Sequence, residues 1–195
     1  MLRFPKSVIR RLIFGSILVS AAASAQMSIT SSAFTNGNPI PDPFQYNQGP
    51  PGQCTGGNNW SPPLAITGIP AGTNTLAIEL NDITNPWLHW EAWGIPVSGT
   101  SVSLPYNYAS TMPTGTQATN SFGTYGYGGP CAPPDGRTHQ YVFTAYALTI
   151  TGTTQPTTAQ LNAAPQATLT GTRVYGETVP WSPTTPVVLQ SFDVN

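Results

Sequence analysis

The chain has 195 residues, of which only 7% are charged, with 21 prolines and 19 glycines. Four of its six basic residues (Arg3, Lys6, Arg10 and Arg11) lie near the start; beyond residue 25 only Arg137 and Arg173 face seven acids, a net charge of −5 with no lysine. That leaves no cationic footprint for counterion release, which excludes nucleic acid as a partner and stable association with an anionic membrane.

Residues 1–25 carry the pattern of a secretory signal. A basic n-region precedes an apolar run from Leu12 to Ala23, and Ala23-Ser24-Ala25 gives the small-x-small cleavage pattern. The apolar run is too short for a membrane span, so the chain is expected to be exported, to a periplasm or the extracellular space. The remaining chain, roughly 170 residues, suits one domain with a sizeable core. Its charge is low, but tryptophan, tyrosine, isoleucine and leucine are spread in clusters, which argues for folding rather than disorder.

Residues 26–60 read as irregular and turn-rich, and Ser61-Pro62-Pro63-Leu64 as a rigid extended entry. Thr75–Asp82 reads as a strand with Leu76, Ile78 and Leu80 on one face; period two carries Asp82 onto that same inward face. A second strand spans Leu88–Ile95, with Trp90 and Trp93 on opposite faces. A third, Tyr141–Ile150, is apolar on both faces, which places it in the middle of a layered structure. A short helix is expected at Thr158–Ala164, capped by Thr157 or Thr158, and a fourth strand at Gln166–Tyr175. Residues 176–195, with three prolines, read as an extended tail. The sum is an all-β, two-sheet sandwich with one or two short helices.

In an oxidising compartment the two cysteines, Cys54 and Cys131, pair by default; free thiols or a metal site are the alternatives. Cys131 lies in a stretch, residues 126–141, with four glycines and three prolines that ends in His139-Gln140-Tyr141. The other histidine, His89, follows Asp82 by seven positions. An aspartate, two imidazoles, a phenol and a glycine-rich loop can together hold an oxyanion, with Asp82 orienting one histidine. The bland alternative is that both histidines are structural. The spacing of the histidines does not support a metal site, and no Gly-x-Ser-x-Gly elbow supports a serine hydrolase.

Several short motifs succeed one another in a telling order: Ser61-Pro62-Pro63-Leu64, Ile69-Pro70-Ala71-Gly72-Thr73, Asp82 through Pro86, His89-Trp90, Ile95-Pro96, Gly126 through Cys131, and His139 with Tyr141-Val142-Phe143-Thr144 and Tyr146-Ala147-Leu148. In this the chain resembles the phosphatidylethanolamine-binding proteins, and within them the bacterial Raf-kinase-inhibitor-like branch of YbhB and YbcL type. The resemblance runs from about Phe34 to Tyr175, so residues 26–175 form the expected domain. It implies an antiparallel Greek-key sandwich with a small anion pocket at one end. The positions that match the family's pocket are Asp82, Trp87, His89, Gly129, Cys131, Pro133, His139 and Tyr141. The branch often has cysteines at the places of Cys54 and Cys131, in agreement with a disulfide.

Three positions depart from the family pattern. Its Asp-Pro-Asp-x-Pro appears as Asp82-Ile83-Thr84-Asn85-Pro86, its His-Arg-Tyr as His139-Gln140-Tyr141, and a loop proline is Ala132. Thr84 and Gln140 thus remove one acid and one base together. These departures bear on ligand affinity and identity more than on the fold. The expected function is an exported, non-enzymatic protein that binds a small phosphate-bearing or carboxylate ligand and needs no cofactor. The alternatives are a regulator of a partner kinase or protease acting through the pocket-rim loops, and a hydrolase using Asp82 and His89 as acid and base.

Overall fold

A computed structural model describes residues 26–49, 54, 56–113 and 116–183. Residues 1–25, expected to be a signal, and residues 184–195 of the expected tail lie outside the described residues. No helix among the described residues is long and apolar enough to cross a membrane.

Among the described residues, seven strands form two antiparallel sheets. β1 (Ser28–Thr30), β2 (Leu64–Thr67) and β5 (Ser101–Leu104) make one, in the order β1-β2-β5. β3 (Thr75–Asp82), β4 (Trp87–Pro96), β6 (His139–Leu148) and β7 (Gln166–Arg173) make the other, in the order β4-β3-β6-β7. After β4 the chain crosses to the first sheet as β5 and returns as β6 on the far side of β3, the crossover expected of a Greek-key sandwich. Ile29, Leu64, Ile66 and Leu104 of one sheet meet Leu76, Ile78, Leu80, Trp90, Tyr141 and Phe143 of the other in a single core.

Alternation builds β3 as expected: Leu76, Ile78, Leu80 and Asp82 are all buried, while Glu79 and Asn81 are half-buried. β6 differs from its expectation. It begins two residues earlier, and its second face, at Val142, Thr144 and Tyr146, is only half-buried. The cover on that outer face is confined to one end, where Ala77, Trp93, Leu148 and Leu161 form a second apolar cluster. Leu161 comes from helix α1 (Thr158–Ala163), whose N-cap Thr157 makes a reciprocal capping box with Gln160. The short strands β1, β2 and β5 were not expected from the sequence. At three or four residues each, they are too short for alternation to stand out from their proline- and serine-rich flanks.

Two register shifts interrupt the pairing of β3 with β4. Leu80 pairs with Trp90 but its neighbour Asn81 pairs with Leu88, so β4 carries one residue more than β3 at that step. This β-bulge turns two consecutive side chains, His89 and Trp90, into the interior, where they are 2% and 0% exposed. A second shift lies between Leu76 and Ile78, near Gly94, whose φ of +69° is one that side-chain-bearing residues rarely adopt.

Arg173 closes the far edge of the sandwich. Its buried guanidinium donates to the Ile40 carbonyl (2.7 Å), Asp42 Oδ1 (3.0 Å) and the Glu177 carbonyl (2.6 Å). Asp42 also accepts from the Val179 N–H at 3.0 Å, and Trp181 packs on Phe44 with ring centroids 4.8 Å apart. The described start of the tail is therefore held against residues 40–44.

Candidate functional site

In an antiparallel sheet one strand ends where its neighbours begin. Asp82 at the end of β3, Trp87 and His89 at the start of β4, and His139 and Tyr141 at the start of β6 therefore gather at one end of the four-stranded sheet. Asp82 pairs with Trp87 on one side and with Tyr141 on the other.

Asp82 is 4% exposed and fully engaged. Its Oδ1 accepts the backbone N–H of Thr84 (2.9 Å) and of Asn85 (3.1 Å), shaping the turn between β3 and β4. Its Oδ2 lies 2.6 Å from His139 Nδ1. His139 Nε2 lies 3.1 Å from Asp135 Oδ2, so this buried ring has a carboxylate on each nitrogen.

His89 has a different environment. Its Nδ1 sits 2.8 Å from the Gly128 carbonyl and 2.9 Å from the Gly129 carbonyl. Carbonyls only accept, so Nδ1 carries the proton and Nε2 keeps its lone pair. Burial lowers the pKa to about 4, against the pull of the two carbonyls, so the ring is neutral at physiological pH. Nε2 makes no hydrogen bond among the described residues.

Tyr141 packs edge-on against His89, with ring centroids 5.1 Å apart, and stacks near His139 at 6.4 Å. Burial, and then the Asp82 charge, pushes its pKa up, so the hydroxyl keeps its proton. That hydroxyl is fully buried close to Asp82 and the Cys131 backbone, but no hydrogen bond of good geometry reaches it.

Asp82, Asn85, Trp87, His89, Phe122, Cys131 and Pro133 line a cleft of about 300 Å³. Five of the eight residues singled out in the sequence thus face one space, Tyr141 and His139 stand behind it, and Gly129 holds His89 by its carbonyl. Gly129 also runs against another backbone: a Cβ there would lie 2.1 Å from the Phe44 carbonyl oxygen, so only glycine fits. Its N–H donates to Asn59 Oδ1 at 2.7 Å, and Asn59 Nδ2 donates to the Tyr127 carbonyl at 3.0 Å. Cys54 and Cys131 form a disulfide with Cα atoms 5.4 Å apart, which anchors the same wall from a point 77 residues away in sequence.

Sequence reasoning missed four participants. Phe122 stacks on Tyr46 at 3.9 Å between ring centroids and meets Trp87 and His89 edge-on, but it comes from an irregular stretch with no periodicity to mark it. Asn59 had no signal beyond its turn-rich context. Asp135 and Arg137 lie in the loop already singled out, where the only hint was an acid and a base close to a histidine. The two departures Thr84 and Gln140 prove to be neighbours: the Gln140 N–H donates to Thr84 Oγ1 at 2.9 Å. The third, Ala132, is buried in the loop.

Residues 30–178 match the sequence model of the phosphatidylethanolamine-binding protein family. The Escherichia coli UPF0098 proteins YbhB and YbcL are similar to this chain. YbhB is 36% identical over 132 residues, covering 64% of this chain and 79% of its own length. YbcL is 32% identical over 150 residues, covering 73% and 79%. LppC of Mycobacterium tuberculosis, which carries a lipoprotein name, is 35% identical over 134 residues, covering 67% and 59%. Among solved structures, E. coli YbcL, described as a new member of the mammalian family, superposes with a TM-score of 0.61 at 28% identity over 76% of this chain and 98% of that one. The homologue CT736 from Chlamydia trachomatis gives 0.59 at 27% identity over 76% and 97%. Two antiparallel sheets, the shared order of motifs and this agreement over most of the chain lead to one conclusion: the chain belongs to the phosphatidylethanolamine-binding protein family, in the YbhB/YbcL-type branch.

Proposed function

We propose that this is an exported, non-enzymatic binding protein whose cleft takes a small oxyacid group, phosphate-bearing or carboxylate. The observation that carries the reading is the Tyr141 hydroxyl, buried behind the cleft beside its lining residues Asp82 and His89 and reached by no hydrogen bond of good geometry. A buried hydroxyl costs about 1–3 kcal/mol when nothing bonds it, so a ligand oxygen that does so recovers that cost. His89 Nε2 offers a lone pair and Tyr141 offers a proton. Together they match the edge of an oxyacid that retains one proton, such as a hydrogen phosphate monoester. Trp87, Phe122 and Pro133 give the cleft an apolar wall suited to an organic substituent. Asp82 has no free valence for this ligand; its part is to orient His139 and shape the turn. Export is supported by the signal-like first 25 residues, by the disulfide and by the lipoprotein-named relative.

Because His89 is neutral, the complex takes up a proton, on the ligand or on the ring. Binding of acetate, which carries no proton of its own in this range, should therefore strengthen as pH falls from about 8 to about 5, with no plateau near the ordinary imidazole value of ~6.5. Calorimetric titration of the wild type and Tyr141→Phe tests the reading. The variant should bind about tenfold more weakly while its unfolding midpoint is unchanged or higher, because the lost hydroxyl had no partner in the free protein. Unchanged affinity in both Tyr141→Phe and His89→Phe would remove the cleft from consideration.

A further inference from the structure

Four donors converge on one carboxylate beside the cleft. Asp135 Oδ1 accepts the Arg137 backbone N–H at 2.9 Å. Its Oδ2 accepts Arg137 Nε at 2.7 Å, Arg137 Nη2 at 2.6 Å and His139 Nε2 at 3.1 Å. The Arg137 backbone N–H is the leading cause that holds the carboxyl at about 2, well below the usual carboxylate range. This is how a bound oxyanion is usually surrounded: a guanidinium edge, an imidazole N–H and a main-chain N–H. Here the anion belongs to the chain itself.

Of these donors, the His139 ring does not depend on Asp135 for its placement, whereas Arg137 is held by that carboxylate. His139 is fixed by its β6 position and by Asp82 on its other nitrogen, at 2.6 Å. The ring is fully buried, whereas Asp135 is 28% exposed and Arg137 is 56% exposed. Thus a loop carboxylate that reaches solvent lies against a pre-oriented buried imidazole. Thr84 and Gln140, which stand where the family pattern has an acid and a base, carry no charge. Asp135 and Arg137 bring one of each back, from the loop.

We propose that Arg137 and His139 form an oxyanion subsite next to the cleft, and that Asp135 is its tethered occupant, which a free carboxylate or phosphate displaces. The subsite extends the oxyacid reading of the cleft, and it stands or falls separately from it. A tethered competitor acts at a high effective concentration, so the filled subsite rejects weak anions and admits those that bind more strongly than a carboxylate does.

The test uses protein with 15N-labelled histidine, titrated with acetate and then with inorganic phosphate, each histidine ring being read separately. Asp135→Ala should show a saturable shift of the His139 Nε2 signal with both anions, at an affinity about tenfold or more above the wild type. Adding Arg137→Gln to Asp135→Ala should cut that affinity by about tenfold, the loss of a bidentate guanidinium. Asp135→Asn keeps the shape of the side chain without its charge and should move in the same direction, which guards against misfolding of the alanine variant. Glu91→Gln removes one negative charge on β4 and should change nothing at His139. Equal affinity in wild type and both Asp135 variants, or no anion-dependent shift at His139 in either, overturns the subsite. A phosphate shift at His89 without one at His139 overturns the subsite and keeps the cleft. A shift at His139 in the Asp135 variants without one at His89 supports the subsite and removes the cleft.

Discussion

His139 and His89 both pack against the Tyr141 ring, but the two regions that surround them are built differently. On the strand side, Asp82 and Asp135 take both nitrogens of His139, and the aspartates are themselves engaged by backbone N–H groups. On the loop side, the Gly128 and Gly129 carbonyls take one nitrogen of His89 and leave the other toward the cleft. Carboxylates and carbonyls both accept, but only the former bring charge. The same residue type is thus held between two carboxylates in one place and is a neutral acceptor in the other. Where a histidine lies in the sequence says little about its role; the groups on its nitrogens decide it.

The sharpest way to break the strand-side region is Asp82→Ala. It removes the acceptor of two turn N–H groups and one partner of a buried pair, and should cost about 3–5 kcal/mol in urea unfolding. A loss under about 1 kcal/mol, the range of exposed pairs, would show that the pair is not an integral part of the fold.

The disulfide tests the loop-side region. Replacing Cys54 and Cys131 together with alanine should lower stability by about 2–4 kcal/mol, because the unfolded chain regains the freedom of a long closed loop. The wild type under reducing conditions should match the double variant. If reduction left the wild-type unfolding midpoint where it was, the bond would not be holding this wall.

Acid should separate the two histidines. The folded His89 pKa of about 4 lies below the ~6.5 of the unfolded chain. Between these values the unfolded state binds a proton that the folded state refuses, so stability falls as pH drops from ~6.5 toward about 4. The contribution is of order 3 kcal/mol over that window. His89→Gln should remove this part of the pH dependence, read as the difference between the two unfolding curves; parallel curves would mean that burial does not hold the ring neutral.

The smallest expected effect concerns the two departures. Restoring an acid and a base with Thr84→Asp and Gln140→Arg places a pair at a partly exposed position, where it should change stability by less than about 1 kcal/mol. Because that pair touches neither histidine, the His89 ring signal should not move.

Much of the sheet that carries the site was legible in the sequence, because alternation is a local property. Leu76, Ile78, Leu80 and Asp82 announced the inward face of β3, and Thr157 and Gln160 announced the helix start. Legible too were the crowding of glycine and proline before His139 and the pairing of the only two cysteines. The order of motifs named the family before any contact was known.

Tertiary structure alone decided the protonation and reach of the site. Period two does not foretell a bulge, since the extra residue that turns His89 and Trp90 inward together shows only against the register of β3. Nor does any local pattern bring Phe122 to Tyr46, or Asn59 to the Gly129 N–H. Hydrogen-bond partners so far apart in sequence are set by packing. They are what leaves Tyr141 without a partner, keeps His89 neutral and puts the Asp135 carboxylate on His139.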